Sequence, residues 1–382
     1  MERKPLLALD VKSFMRRHWQ REPLLVRGAL PRFRDPLTPR EVLAAARSPH
    51  ASARLVRRHG ARWSLEHGPF TAARLKQLPR RAWTVLVQDT NHFAPRADRL
   101  LGAFDFIPHA RIDDVMVSYA APGGGVGPHV DSYDVFLLQG RGRRRWQISR
   151  QKDLAFVPGL DLRILERFEP EREFVLEAGD MLYLPPGVAH CGVAESECLT
   201  WSIGFRTPGD DEIVAAFLDF LRDRPGPEGR YADPGSAPVR HPGEIPRRLL
   251  GHFARVVRKI AWSAADVREF GGSLLSEPKA HVFFTGPRRP LAPAMFRARC
   301  RKAGLVLDPR ARLLYSGAMF FLNGERLEAG PAARAALRRL ADGRRLNPPV
   351  RAGAAFWRLA YDAYLAGSMA PADAAPDGKG ER

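Results

Sequence analysis

Short runs of strand-forming residues occupy the middle of the chain, and helical periodicity marks the segments on either side. At the N-terminus, Val11–Trp19 has a helical period, and Asp10 is placed to cap its first turn. Turns rich in glycine and proline separate the apolar runs that follow, which are Pro23–Val26, Trp83–Val87, Arg111–Ser118, Tyr133–Gly140, Met181–Leu184 and Ser202–Phe205. Strands and turns in this order predict a mainly β protein with added helices, centred on a small double-stranded barrel.

The pattern changes after the barrel. Helical periodicity begins near Asp210, a linker rich in proline and glycine covers 224–246, and a second amphipathic helix follows. Short strands within 312–322 and a helix over Ala332–Leu340 are consistent with a small winged-helix-like module. The predicted parts are therefore an N-terminal α/β part that supports the barrel (1–92), the barrel (93–207), a helical segment (208–270), a winged-helix-like domain (280–366) and a disordered tail (367–382).

Each helix of the 208–270 segment carries an apolar stripe that has no obvious partner in the sequence. The stripes consist of Ile213, Phe217, Phe220 and Leu221, and of Leu249, Phe253, Val256, Val257 and Ile260. Exposed stripes of this kind mark interfaces, and two of them pair readily across a two-fold axis. We therefore expect this segment to form a homodimer. The alternative is that the stripes pack on the barrel or on the C-terminal domain.

The candidate chemistry begins with His129-Val130-Asp131 and with His190, which follows a Pro185-Pro186-Gly187 turn. Residues two apart along a strand point to the same side, so His129 and Asp131 share one face of a strand and a second strand supplies His190. Two histidines and one carboxylate on one face of an octahedral metal are typical of non-haem Fe(II) oxygenases. For the short motif alone, the alternative is a surface histidine beside a solvated aspartate. The flanking turns and strands favour the metal site.

The stretch from Arg111 to Phe205 resembles the JmjC branch of the cupin-fold 2-oxoglutarate oxygenases, and within that branch the bacterial ribosomal oxygenases. The resemblance implies a double-stranded β-helix, as cupin and JmjC proteins have, and it extends weakly over most of the chain. All three metal-ligand positions are present. The matching segments are Arg111–Ser118, Pro122–Asp131, Tyr133–Gly140, Gly142–Trp146, Gly179–His190 and Ser202–Phe205.

The same resemblance implies a function. It points to an Fe(II)- and 2-oxoglutarate-dependent dioxygenase that hydroxylates an arginine side chain, at its 3 position, in a large-subunit (50S) ribosomal protein. Iron is then the cofactor, and 2-oxoglutarate and dioxygen are co-substrates. The family also implies a dimer built from a segment after the barrel. Two alternatives stay open, a histidyl hydroxylase of another ribosomal protein and a metal-binding cupin that interacts with a partner without catalysis.

Arg144 is the candidate anchor for the co-substrate. Along Arg143–Ile148, the face that contains Trp146 should point inward, and Arg144 lies on that face while Arg143 lies on the other. A buried guanidinium needs an anion, and arginine pairs with a carboxylate through two N–H groups. The alternative is that Arg144 belongs to a solvated basic patch. The resemblance places the co-substrate arginine at Arg144 and a co-substrate hydroxyl at Ser118.

Five further residues are predicted to face a substrate pocket, because they share strand faces with Ser118, His129 or Thr200: Asp114, Met116, Tyr133, Val135 and Ser202. The resemblance implies that Asp114 and Met116 line the pocket. Physical chemistry agrees, since an arginine substrate needs an acid for its head and an apolar wall for its stem. The alternatives are an exposed loop acid at Asp114 and a barrel-core side chain at Tyr133.

Composition limits the partners and the compartment. The 382 residues include 61 basic and 42 acidic side chains, for a formal net charge of +19. This excess predicts non-specific proximity to RNA, although the codon bias of a GC-rich genome is an alternative explanation. Three cysteines do not make a disulfide framework. No apolar run is long enough for a membrane span or a signal peptide, so the expected location is the cytoplasm.

Overall fold

A computed structural model describes residues 7–60, 62–226 and 228–374 of the chain. By contacts between their α-carbons, these residues divide into two compact units. The first unit contains the chain up to Thr207 together with 307–310 and 372–374, and the second contains Pro208–Val306 and Ala311–Pro371. The predicted N-terminal part and the predicted barrel thus belong to one unit.

Two antiparallel sheets form the walls of the barrel in the first unit. The strands are β1 (Leu24–Val26), β2 (Ala53–His59), β3 (Arg62–His67), β4 (Trp83–Val87), β5 (Ile112–Ala120), β6 (Asp134–Gln139), β7 (Arg144–Ser149), β8 (Arg172–Leu176), β9 (Met181–Leu184), β10 (Ala189–Ala194) and β11 (Cys198–Phe205). The larger sheet has the strand order β1-β9-β6-β11-β5-β4-β2-β3, and the smaller has the order β10-β7-β8. Strands β2, β3 and β4 come from the predicted N-terminal part and extend the larger sheet at one edge.

The central strands of the larger sheet are buried on both faces. In β6, Phe136 packs into the core on the outer face, whereas Val135 and Leu137 pack against the smaller sheet. This double burial explains why β6 reads as a continuous apolar run rather than an alternating one. In β11, Trp201 joins the outer core, and Ser202 lines the cavity between the sheets. A polar side chain on the inner face of a buried strand therefore marks the cavity.

Short helices cover the outer face of the larger sheet. The predicted first helix is confirmed, and the Asp10 side chain accepts a hydrogen bond from the Ser13 backbone N–H at 3.1 Å. Phe14 of this helix is 1% exposed and contacts Phe136 and Tyr183 in the outer core. The helices are α1 (Val11–Arg17), α2 (Pro39–Ala45), α3 (Ala72–Lys76), α4 (Thr90–Phe93) and α5 (Pro95–Leu101), with 3-10 turns at Gly102–Phe104 and His109–Arg111.

The second unit combines helices with two small sheets. The elements are α6 (Asp210–Arg222), α7 (Arg247–Val257), α8 (Ala264–Ser276), α9 (Pro293–Ala303), β12 (Leu305–Leu307), β13 (Leu313–Ser316), β14 (Met319–Leu322), β15 (Glu325–Leu327), α10 (Pro331–Gly343), β16 (Arg345–Leu346), α11 (Ala354–Leu365) and β17 (Met369–Pro371). The helices predicted near 211–222, 245–260 and 332–340 are confirmed as α6, α7 and α10, although α7 ends before Ile260. The strands predicted within 312–322 form a hairpin, β13 with β14.

The predicted tail over 367–382 begins too early. Met369–Pro371 forms β17, which lies beside β12 in a three-stranded sheet, and the Met369 side chain is 3% exposed. The sequence of Met369–Pro371 has no strand pattern of its own, and this segment is a strand because it pairs with β12. Residues 375–382 lie outside the described residues. Among the helices in the described ranges, none has the length and apolar character needed to cross a bilayer.

Candidate active site

The structure brings His129, Asp131 and His190 together at one end of the barrel. Each can offer a ligand atom, and these atoms lie within 4.8 Å of one another. The Nε2 atom of His190 is 3.6 Å from Oδ2 of Asp131. His190 is the second residue of β10, whereas His129 makes only an isolated bridge to His190 and Asp131 lies before β6 begins. The prediction that His129 and Asp131 lie on a strand is therefore wrong, although the two side chains do meet His190 at one site.

Hydrogen bonds to backbone carbonyls determine which nitrogen of His129 and of His190 can bind a metal. The Nδ1–H of His129 donates to the Gly127 carbonyl, and that of His190 donates to the Val188 carbonyl, both at 2.9 Å. Since a carbonyl only accepts, each Nδ1 carries the proton and each Nε2 keeps a lone pair for a metal. Burial, and secondarily the neighbouring His129, lowers the pKa of His190 to about 4, so this imidazole is neutral near pH 7.

Close backbone packing shapes the loop that presents His129. A Cβ at Gly124 would lie 2.1 Å from the Trp83 carbonyl oxygen, and one at Gly125 would lie 2.4 Å from the Gly192 carbonyl oxygen. Glycine is required at both positions because backbone occupies the space of a side chain. The glycine run in the sequence therefore serves to seat the loop between β4 and β10.

Arg144 faces the barrel interior, as its position in β7 predicted. It is 4% exposed, and its Nη1 donates to the Ser118 hydroxyl at 3.0 Å. Its Nε and Nη2 atoms are buried and have no hydrogen-bond partner among the described residues. In contrast, Arg143 and Arg145 point outward, and both contact Glu195. A buried guanidinium with unpaired N–H groups fits a site for a ligand carboxylate.

One cavity of about 370 Å³ connects the two parts of the site. Its lining includes every site residue that the sequence predicted: Asp114, Met116, Ser118, His129, Asp131, Tyr133, Val135, Arg144, His190 and Ser202. Asp114 is 7% exposed on β5, so it is not an exposed loop acid. The geometry brings these side chains together, and their roles in binding remain predictions.

Tyr133 stands among acids at the cavity wall. Burial, and then the nearby Asp131, Asp114 and Asp113, raise the pKa of its phenol, while Arg54 opposes the shift. The side chain is therefore a neutral hydroxyl near pH 7, able to donate a hydrogen bond.

Several cavity residues were not predicted from the sequence. Arg54 and Thr84 come from β2 and β4, outside the segment that carries the family resemblance. Asp161 and Arg163 come from the loop between β7 and β8. Thr84 did leave a signal, because it is a polar residue inside the apolar run Trp83–Val87. The others have no such signal, since only sheet pairing and loop packing bring them to the cavity.

Comparison with known proteins identifies the family. Residues 99–213 match the JmjC domain family, and residues 259–362 match the ROXA-like winged helix family. The ribosomal protein uL16 3-hydroxylase of Escherichia coli is 32% identical over 325 residues, which are 85% of this chain and 87% of that protein. A Haemophilus influenzae protein named "Probable ribosomal oxygenase" is 39% identical over 205 residues, 53% of this chain and 50% of that protein.

Solved structures agree with the sequence matches. The X-ray structure of E. coli YcfD has a TM-score of 0.83 at 30% identity and covers 95% of this chain and 98% of that chain. The structure of the ribosomal oxygenase YcfD from E. coli in complex with cobalt and 2-oxoglutarate has a TM-score of 0.81 at 30% identity. The match covers 96% of this chain and 99% of that chain. The chain therefore belongs to the JmjC-domain ribosomal oxygenases. This result confirms the predicted family, the cupin barrel and the winged helix. The match to the winged-helix family begins at residue 259, whereas the predicted domain began at residue 280.

Proposed function

We propose that this protein is an Fe(II)- and 2-oxoglutarate-dependent dioxygenase that hydroxylates an arginine side chain, at its 3 position, in the large-subunit ribosomal protein uL16. One observation carries the proposal: a single cavity holds three metal-ligating side chains and, in the same lining, the buried Arg144 with unpaired N–H groups. The choice of uL16 follows the name of the E. coli relative. The choice of 2-oxoglutarate is supported by the YcfD complex with cobalt and 2-oxoglutarate.

The residues of this chain divide the work between two ends of the cavity. His129, Asp131 and His190 would hold Fe(II), which would supply the activation of dioxygen. Arg144 and Ser118 would hold the distal carboxylate of 2-oxoglutarate. Overall, the target C–H group, 2-oxoglutarate and dioxygen would yield the hydroxylated side chain, succinate and carbon dioxide. The barrel walls orient the target carbon and exclude water from it.

The substrate side of the cavity suits a long cationic side chain. Asp114 is buried, and one of its carboxylate oxygens accepts the Asp89 backbone N–H at 3.0 Å, which fixes its orientation. We assign Asp114 to the guanidinium head, and Met116 and Val135 to the aliphatic stem. Tyr133 and the Ser202 hydroxyl supply neutral hydrogen-bonding groups at the cavity wall.

Mass spectrometry of recombinant uL16 after incubation with the enzyme, Fe(II) and 2-oxoglutarate tests the proposal. We expect the mass of one oxygen atom on an arginine residue, together with stoichiometric succinate. A modified histidine in another ribosomal protein would favour the histidyl hydroxylase alternative. No succinate above a reaction without enzyme, with any ribosomal protein, would favour a non-catalytic metal-binding cupin. The Asp131→Ala variant is the control for oxidation that does not depend on the enzyme.

We also propose that the second unit mediates a homodimer through α6 and α7. One face of α6 is occupied, since Phe217 packs against Phe270 of α8 with ring centroids 5.0 Å apart. Other apolar residues of the two helices stay exposed in the described chain: Val214 and Leu218 on α6, and Leu250, Phe253 and Val257 on α7. Spacings of three and four residues place the α7 side chains on one stripe, and a second copy would bury it.

Light scattering of the full chain tests the dimer. Changing Phe253 and Val257 together to glutamate should produce a soluble monomer, because each is more than half exposed in the single chain. Met295→Glu, an equally exposed apolar position on α9, should leave the dimer intact. A wild-type monomer at high concentration, or a dimer that survives the double change, would contradict the proposal.

We propose that this protein acts in the cytoplasm, as the proposed uL16 substrate requires, and that its net charge of +19 steers it toward ribosomal RNA without reading sequence. Fluorescence anisotropy with unrelated RNA oligonucleotides should then show similar affinities that fall steeply with salt. Absence of binding at low salt would leave codon bias as the explanation of the charge.

A further inference from the structure

Among the buried polar groups of the cavity that the site described so far does not use, Thr84 and Trp146 lie nearest to Arg144 in the strand registers. Thr84 on β4 is fully buried, and its hydroxyl oxygen has no hydrogen-bond partner among the described residues. Trp146 on β7 is 4% exposed, and its indole N–H likewise has no partner there. Both side chains line the cavity. A buried hydroxyl or indole N–H without a partner is costly, and native proteins rarely keep one without a ligand or water.

The registers of the strands place Thr84 beside the anchor. Strand β4 pairs with β5 so that Leu86 lies opposite Ser118 and Thr84 lies opposite Ala120. Opposed residues in an antiparallel pair share a face, so Thr84 and Ser118 are diagonal neighbours on the inner wall. Arg144 reaches across from the smaller sheet to the Ser118 hydroxyl at 3.0 Å.

Trp146 lies on the other side of the same anchor. It follows Arg144 by two residues and shares its inward face, with the Arg144 guanidinium carbon 5.6 Å from the centre of the indole ring. The ring centroids of Trp146 and His190 are 6.0 Å apart. The indole therefore lies close to both the guanidinium and the His190 imidazole, and it lines the cavity that connects them.

The other buried threonines in the first unit have hydrogen-bond partners for their hydroxyl groups, unlike Thr84. The Thr90 hydroxyl donates to the Val115 carbonyl, and the Thr200 hydroxyl donates to the Gln139 side chain at 3.0 Å. The unpaired state of Thr84 is thus not a general property of buried threonines in this fold. A carboxylate has roughly four lone-pair directions, enough to accept the two unpaired N–H groups of Arg144, the Thr84 hydroxyl and the Trp146 indole N–H together.

We propose that the Thr84 hydroxyl and the Trp146 indole N–H donate to the distal carboxylate of the 2-oxo dicarboxylate co-substrate, completing the site begun by Arg144 and Ser118. The inference rests on the proposed function, because it takes 2-oxoglutarate as the ligand. It extends the co-substrate site to Thr84 on β4, outside residues 99–213 that match the JmjC domain. The N-terminal strands then contribute to binding as well as to the fold.

Calorimetric titration of 2-oxoglutarate into the cobalt-loaded protein measures the effect without turnover. Thr84→Val keeps the shape and removes the hydroxyl, and it should weaken binding about tenfold, as expected for one hydrogen bond to a charged group. Thr84→Ser should bind nearly as well as wild type. Trp146→Phe should show a loss similar to that of Thr84→Val. Thr90→Val, which removes a buried hydroxyl outside the cavity lining, is the matched control and should leave the affinity unchanged.

Competition by glutarate, which lacks the 2-oxo group, tests which end of 2-oxoglutarate Thr84 contacts. Because the distal carboxylate is common to both molecules, Thr84→Val should weaken glutarate competition by the same factor. A loss for 2-oxoglutarate alone would overturn the assignment to the distal end. Wild-type affinity in Thr84→Val and Trp146→Phe, with strong loss in Arg144→Ala, would overturn this inference and leave the proposed function standing. Unchanged affinity in Arg144→Ala as well would instead remove the carboxylate site from the proposed function.

Discussion

Replacing Arg144 with methionine should make the ligand-free protein more stable and the ligand-bound protein less stable than wild type. Arg144 is 4% exposed, and its Nε and Nη2 atoms have no partner within the described residues. The cost of burying these groups is not offset until a carboxylate arrives. Methionine has a similar unbranched stem and no charge, so it fills much of the same space without that cost.

The expected magnitudes follow from what Arg144 contacts. It makes one hydrogen bond to Ser118 and one contact with the Trp146 ring, which only partly compensate a buried cation. We expect Arg144→Met to raise the free energy of unfolding of the ligand-free protein by about 1–2 kcal/mol, within the range seen when buried ionic groups are replaced by apolar ones. Loss of the desolvated ionic contact should weaken 2-oxoglutarate binding by about 2–5 kcal/mol, or about 30-fold to several thousand-fold.

Thermal unfolding of the cobalt-loaded protein, with and without 2-oxoglutarate, measures both effects. At a ligand concentration 100 times the wild-type Kd, wild type should gain about 2.7 kcal/mol of stability, and the variant should gain between almost none and about 0.9 kcal/mol. The ligand should therefore remove the stability advantage of the variant, and it should reverse the order of the two melting temperatures over most of this range. Arg143→Met is the control, because the Arg143 side chain is 54% exposed and pairs with surface acids, so neither quantity should change much.

Two results would refute this reasoning. A large loss of stability in ligand-free Arg144→Met would mean that the guanidinium is already compensated within the protein. Loss of 2-oxoglutarate binding in Arg143→Met, with normal binding in Arg144→Met, would mean that the inward face of β7 is wrongly assigned.

Three further predictions concern the metal site, the pKa of Tyr119 and the packing of β10. His129→Ala or Asp131→Ala should abolish turnover and weaken cobalt binding in calorimetry while leaving the circular dichroism spectrum unchanged; full activity in either variant would exclude the metal triad. Burial raises the pKa of Tyr119 to about 12, so the folded form holds this proton more tightly than the unfolded chain. The stability from Tyr119 should be complete below about pH 10 and fall as the pH rises toward 12, and Tyr119→Phe should reduce that slope in denaturant titrations; an unchanged slope would contradict the assignment. A Cβ at Gly192 would lie 2.6 Å from the Trp146 ring, so Gly192→Ala should cost about 1–3 kcal/mol in urea unfolding, and a neutral substitution would show that the ring can shift freely.

The sequence predicted side-chain directions correctly where these depend only on neighbouring residues in the chain. Side chains alternate along any extended backbone, so residue order alone predicted that Arg144 and Trp146 face inward and that Arg143 does not. The same rule put His129 and Asp131 on one side, although neither lies in a regular strand. The family resemblance then supplied the roles that alternation cannot give.

Tertiary structure decided which distant segments share the cavity. Arg54 and Thr84 reach it because β2 pairs with β4 and β4 pairs with β5, and such pairings depend on contacts between residues far apart in the chain. The sequence also could not predict which apolar residues of α6 and α7 are covered. Phe217 packs against α8, whereas Phe253 stays exposed in the single chain. Local order determines which way a side chain points, because backbone geometry repeats every two or every 3.6 residues. What that side chain meets is determined by packing, and packing has no local period.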